Sequence, residues 1–243
     1  SVCLALSGHA FAQDSGGSAA LAERALEGTV QTRIGELQFE LGFPTDGTVT
    51  KLYDEMDFQR AVQAYIWALP IVEMAEWKWA HENTFGGGAL DFVTYLDFRE
   101  KMGILTANAT TPYIMAFPNL KETGPLVYEL PAGATAGGLM DFWQRPITDL
   151  GQTGPDEGKG VKVLILGPEH GDLSPEGYLE FRSPMWHIMV ASRVLDPDPE
   201  ENERLIAAHK LYPYDERDSP PEARIIPSEG IQWQAHQPRG VTY

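Results

Sequence analysis

Cysteine is almost absent from this 243-residue chain, with Cys3 the only one. That excludes a fold stapled by disulfides and, beyond the first dozen residues, a cysteine–histidine catalytic pair. Basic side chains are also scarce. There are 18 against 35 acidic ones, a formal charge of −17 that argues against nucleic acid or an anionic membrane surface as partner. Past the first residues, every apolar run is broken by Pro, Gly or charge before it is long enough to cross a bilayer. The histidines His81, His170, His187, His209 and His236 stand singly, never at H-x₃-H or H-E-x-x-H spacing, so no metal site is read. No G-x-S-x-G elbow and no cofactor fingerprint occurs either.

The chain opens on 1-SVCLALSGHAFAQ-13, an apolar run closing on Ala10-Phe11-Ala12, the A-x-A form of a signal-peptidase site. Residues 1–12 are read as the tail of a secretory signal peptide and the mature chain as starting at Gln13, which implies a periplasmic or secreted protein. The stretch 151-GQTGPDEGKG-160 has the look of a phosphate loop. Its glycine spacing is one residue short, Gly160 stands where Ser or Thr would hold magnesium, and 161-VKVLILG-167 follows as a strand rather than a helix. It is read as a loop between two strands.

Apolar residues at helical spacing (Leu52, Met56, Phe58, Val62, Ile66, Leu69) predict a long helix over 47–84, which Pro70 should bend or split. Beyond Gly86 the period shortens. The runs 113–117, 126–130, 139–143, 162–166, 178–182 and 186–190 are short, rich in β-branched and aromatic residues, and separated by turn-formers. A helix returns over 198–211, with Asp198 as its cap, Pro199 in the first turn and Glu201 completing a capping box. The expected fold class is α+β: a helical N-terminal segment over 13–85 packed on an antiparallel β-sandwich over 86–213, with 214–243 as a linker.

Four stretches, 42-GFPTDGTVTKLYDEMDFQRAVQAYIWALPIV-72, 105-LTANATTPYIMAFPNL-120, 124-GPLVYELPAG-133 and 139-LMDFWQRPITDLGQTGPDEGKGVKVLILGP-168, together resemble the bacterial family known as domain of unknown function 1254. The resemblance implies an immunoglobulin-like sandwich followed by a second domain, numbered 1214, as a C-terminal partner in the same chain. It lends no mechanism. Many members carry N-N-D-T-x-Y where this chain has Asn108-Ala109-Thr110-Thr111-Pro112-Tyr113, so no role is carried over for the missing Asp.

Strand alternation through 139-LMDFWQRPITDL-150 puts Asp141, Trp143 and Arg145 on one face, a carboxylate, an aromatic and a guanidinium in line. Such a trio suits a ligand carboxylate or carbonyl, and suits equally a structural ion-pair network. Asn108 and Thr111 form a second polar cluster, read either as ligand contacts or as a turn. Two functions remain open: a module that binds or transforms a small polar organic molecule at its junction with the C-terminal domain, or a homo-oligomer assembly module without chemistry.

Overall fold

The computed structural model describes residues 28–96 and 111–230. Asn108 lies outside them. The described chain falls into two compact units that divide between Trp67 and Ala68.

The first unit begins with a three-stranded meander, β1 (Gly28–Thr32), β2 (Gly35–Glu40) and β3 (Phe43–Pro44), all antiparallel. This corrects the reading of 13–85 as a helical segment: 28-GTVQTRIGELQFE-40 folds around a tight turn and pairs with itself. The long helix α1 (Asp46–Asn83) follows, and its first turn is tied to the meander. Thr48 Oγ1 accepts from the Gln38 N–H at 2.7 Å, and Lys51 Nζ donates to the Glu36 carbonyl at 2.6 Å. Pro70 lies inside α1, which runs through it as one long helix and is not split. A proline removes one backbone donor, and here the helix runs through that loss.

In the second unit, residues 68–83 of α1 lie against a six-stranded sheet. The sheet is built from β4 (Phe92–Tyr95), β5 (Tyr113–Ala116), β7 (Thr135–Asp141), β8 (Pro146–Gly151), β11 (Ile188–Val194) and β13 (Ile225–Pro227), in the order β13-β4-β5-β11-β7-β8. The facing four-stranded sheet takes β6 (Leu126–Leu130), β9 (Val161–Leu166), β10 (Leu179–Arg182) and β12 (Lys210–Pro213), in the order β10-β9-β6-β12. Helices α2 (Leu120–Thr123) and α3 (Pro199–Ala207) connect strands. In α3, Asp198 caps as predicted, its carboxylate accepting from Glu200 N–H at 3.0 Å, while Glu201 turns to Arg204 instead of closing a capping box.

The expected antiparallel pattern needs one correction. Each large sheet ends in a parallel edge pair, β9 with β10 and β4 with β13, so both are mixed. Strand β13 also comes from the stretch read as linker. Its pairing with β4 joins residues about 130 apart in sequence, a contact that periodicity does not carry.

Inward residues at period two fill the space between the sheets. Phe92, Ile114, Leu139, Ile188 and Val190 of the larger sheet meet Leu126, Tyr128, Val163, Ile165 and Leu211 of the smaller. Each such side chain, fully buried, contributes roughly 1.5–3 kcal/mol. The outer face of the larger sheet is covered over β4 and β5 by α1, through Met74 and Trp77, and Trp77 Nε1 donates to Tyr95 Oη at 3.0 Å. Burial pushes the Tyr95 phenol up to about 12. Among the described residues, no helix is long and apolar enough to cross a membrane.

Candidate functional site

The strand β7 reads 135-TAGGLMD-141, and its two adjacent glycines are required by close backbone approach. A Cβ on Gly137 would stand 2.2 Å from the Ala191 carbonyl oxygen, and one on Gly138 would stand 2.3 Å from that of Thr148. Register places Ala136 beside Arg193, Gly138 beside Ala191 and Met140 beside Met189. On the neighbouring strand, Tyr113 pairs with Arg193 and Met115 with Ala191. The outer face of β5, β11, β7 and β8 thus has a floor of Gly and Ala. Three methionines border it at one end, and Tyr113 and Arg193 border it at the other. The result is a trough of about 390 Å³, within the range of small-molecule sites.

Arg193 is exposed, and its guanidinium lies 5.7 Å from the centre of the Tyr113 ring. Among the described residues no carboxylate forms an ion pair with it. A cation stacked on an aromatic face keeps its hydrogen-bonding fork free for a planar anion. Asp149 also lines the trough, on the far side of β7, and does not pair with Arg193. The trough therefore offers one cation, one anion and an apolar floor between them.

The trio read from the sequence sits elsewhere, and its geometry differs from strand alternation. Strand β7 ends at Asp141, and residues 142–145 form the turn into β8, with Gln144 at φ 59°. Asp141 is fully buried. Its Oδ1 accepts from the backbone N–H groups of Trp143 (2.8 Å) and Arg145 (3.1 Å), and its Oδ2 from Arg145 Nε (2.7 Å). All three residues meet, on a turn that the Asp141 carboxylate ties together. The neighbours Met140 and Pro146 line the trough, while the trio does not. Thr111 lies two residues before Tyr113, its Oγ1 buried and, among the described residues, without a hydrogen-bond partner.

A second, shallower groove beside the 152–160 loop carries Glu129, Asp156, Lys159, Lys162 and Tyr178. Its charges are largely matched within the chain. Lys162 pairs with Glu129 at 3.1 Å, Lys159 pairs with Glu157, and Tyr212 donates to Glu129. Burial works to raise the Glu129 carboxyl, but the Tyr212 hydrogen bond and the Lys162 ammonium outweigh it and hold the group below its ordinary value. A guanidinium without an acid beside it distinguishes the trough from this groove.

Arg193 was not singled out in the sequence reading. The signal was present as period-two spacing: Tyr113 and Met115 on one strand, Met189, Ala191 and Arg193 on another. What the spacing lacks is the pairing that brings the two strands side by side.

Among solved structures, the chain is similar to the VPA0106 protein of Vibrio parahaemolyticus, with TM-score 0.51 and 14% identity, over 73% of this chain and 42% of that one. It is also similar to an uncharacterized protein from Burkholderia cenocepacia, with TM-score 0.36 and 14% identity, over 66% of this chain and 44% of that one. The chain spans less than half the length of either, and the first likeness speaks to fold alone. No curated protein matches it. Residues 92–213 match the model of the family described as Protein of unknown function (DUF1254), and the match runs over half of the chain, from β4 to β12. The protein belongs to that family.

Proposed function

We propose that this chain is a ligand-binding module whose site is the trough over β5, β11, β7 and β8. Its ligand is a small organic acid with a short apolar body. The acid head meets Arg193, the body lies on the Gly138–Ala191 floor, and a hydrogen-bond donor at the other end meets Asp149. The observation that carries the reading is Arg193 itself, stacked on Tyr113 and without a carboxylate partner among the described residues, in a chain of formal charge −17. An internal acid would be the simplest neighbour in so acidic a protein, and its absence there favours an acid supplied from outside.

The immunoglobulin-like grouping of the two-sheet body belongs to the same proposal, supported by two facing sheets that share one core. So does export, supported by the A-x-A form at residues 10–12 and tested by N-terminal sequencing of a periplasmic fraction. The assembly reading draws support from the exposed Phe58 and Ile66 on α1. It predicts a mass that rises with concentration in light scattering, and no ligand.

Thermal-shift titration with hexanoate, 6-aminohexanoate, hexylamine and hexanol tests the binding reading. Both acids should raise the melting temperature, 6-aminohexanoate the more, with hexylamine and hexanol inert. Equal response to all four, or to none, would remove the trough as an acid-binding site.

A further inference from the structure

The groove beside the 152–160 loop has a volume of about 740 Å³ and shares no lining residue with the trough. Its middle is a row of side chains across the smaller sheet. Register sets Lys162 of β9 beside Glu129 of β6. Tyr178 comes immediately before β10, where Leu179 pairs with Val163, so the tyrosine enters on the other side of Lys162. Neighbouring strands lie about 4.8 Å apart, so the three side chains arise within about 10 Å of one another. All three line the groove.

Two features of the row remain open to a ligand. Glu129 Oε1 takes both the Tyr212 hydroxyl and the Lys162 ammonium, the latter at 3.1 Å, while Oε2 accepts no hydrogen bond among the described residues. Lys162 is exposed and has N–H groups beyond this one contact. An acceptor and a donor therefore stand side by side. Tyr178 is half-buried, its ring edge-on to Tyr214 at 6.0 Å, and the Tyr214 ring in turn carries the Arg217 guanidinium at 4.3 Å. That stack holds the Tyr178 ring in place beside the ion pair.

The pairing of charges decides the class of ligand. An anion would have to displace Glu129 from Lys162, and a cation would have to displace Lys162 from Glu129. An apolar ligand would strip water from the pair and return no hydrogen bond. A hydroxyl accepts from the ammonium and donates to the carboxylate, so it joins the pair without upsetting its charge balance. The aromatic ring, with its negative face, adds a flat apolar surface for C–H groups.

We propose that this groove is a second binding site, for a neutral pyranose sugar, with the sugar ring on Tyr178 and two adjacent hydroxyls at Lys162 Nζ and Glu129 Oε2. The site stands independently of the trough and of its organic acid.

The test is calorimetric titration of the full chain with cellotriose, maltotriose and chitotriose, with sorbitol as the control that has hydroxyls but no ring. At least one trisaccharide should bind, and sorbitol should not. Tyr178→Ala should abolish the binding and Tyr178→Phe should keep it. Lys162→Met, at an exposed position where folding is not at stake, should weaken it by about ten-fold. Arg193→Ala should bind sugar like the unaltered protein, which separates failure of this site from failure of the trough. Absence of binding by all three trisaccharides, equal binding of sorbitol, or undiminished binding by Lys162→Met or by a folded Tyr178→Ala would overturn the proposal.

Discussion

Arg193, in a strand of the six-stranded sheet, and Arg145, in a turn joining two of its strands, have opposite surroundings. Arg145, on the turn between β7 and β8, gives its Nε–H to a buried carboxylate that also accepts two backbone N–H groups. Arg193, in β11, has an aromatic ring beside it and, among the described residues, no acid. The first guanidinium is already answered within the fold, and a ligand would have to compete with Asp141 for it. The second gains a charge-assisted hydrogen bond when an acid arrives. Which arginine is available is decided by what the chain places beside it, and residue type alone does not reveal that.

The largest effect that sharpens this contrast is expected at Asp141. Asp141→Ala strips the acceptor from two backbone donors and from Arg145, and should cost about 2–4 kcal/mol of stability in chemical denaturation. Asp141→Asn, which keeps an oxygen for the two backbone groups, should cost clearly less. Equal losses would mean that the ion pair, not the turn, carries the energy.

Acid tests the interior rather than the trough. His209 is buried between Phe92 and Tyr128, its Nδ1 against the Leu205 carbonyl at 2.7 Å, and burial lowers its pKa to about 4. The unfolded chain takes up this proton near pH 6.5 and the folded chain only near 4, so the contribution is complete above about pH 6.5 and is lost as pH falls through that window. The loss should approach about 3 kcal/mol at pH 4. His209→Phe should flatten the slope of stability against pH between those values; an unchanged slope would assign acid sensitivity elsewhere.

At the trough the expected effect is on affinity. Arg193→Ala should weaken 6-aminohexanoate by about 1.5–3 kcal/mol, roughly ten- to a hundred-fold, and leave melting nearly unchanged, because the side chain is exposed. Arg193→Lys should recover little, since an ammonium lacks the planar fork. The smallest effect is expected at Arg145, whose side chain is 61% exposed. Arg145→Ala should cost about 1 kcal/mol or less of stability, because solvent screens the pair and Asp141 keeps both backbone donors. Its ligand affinity should match the unaltered protein.

Strands β5, β6, β7 and β9 were legible because short runs rich in β-branched and aromatic residues stand there between turn-formers, and α3 because Asp198 and Pro199 mark its start, while β8 was not read. Strands β1 and β2 were missed because their residues are mostly exposed, so no buried face imprints an alternation on them. Strand β13 was missed because its partner β4 is remote in the chain. The trio at 141–145 was legible as a cluster of types, but strand alternation assumed a strand where the chain turns at Gln144.

The most direct test of the central claim is calorimetric titration of 6-aminohexanoate into three proteins: unaltered, Arg193→Ala and Arg145→Ala. Binding that is lost in Arg193→Ala and kept in Arg145→Ala, with all three folded, is the predicted result. Binding that survives Arg193→Ala and disappears in a folded Arg145→Ala would contradict the account and return the site to the turn between β7 and β8.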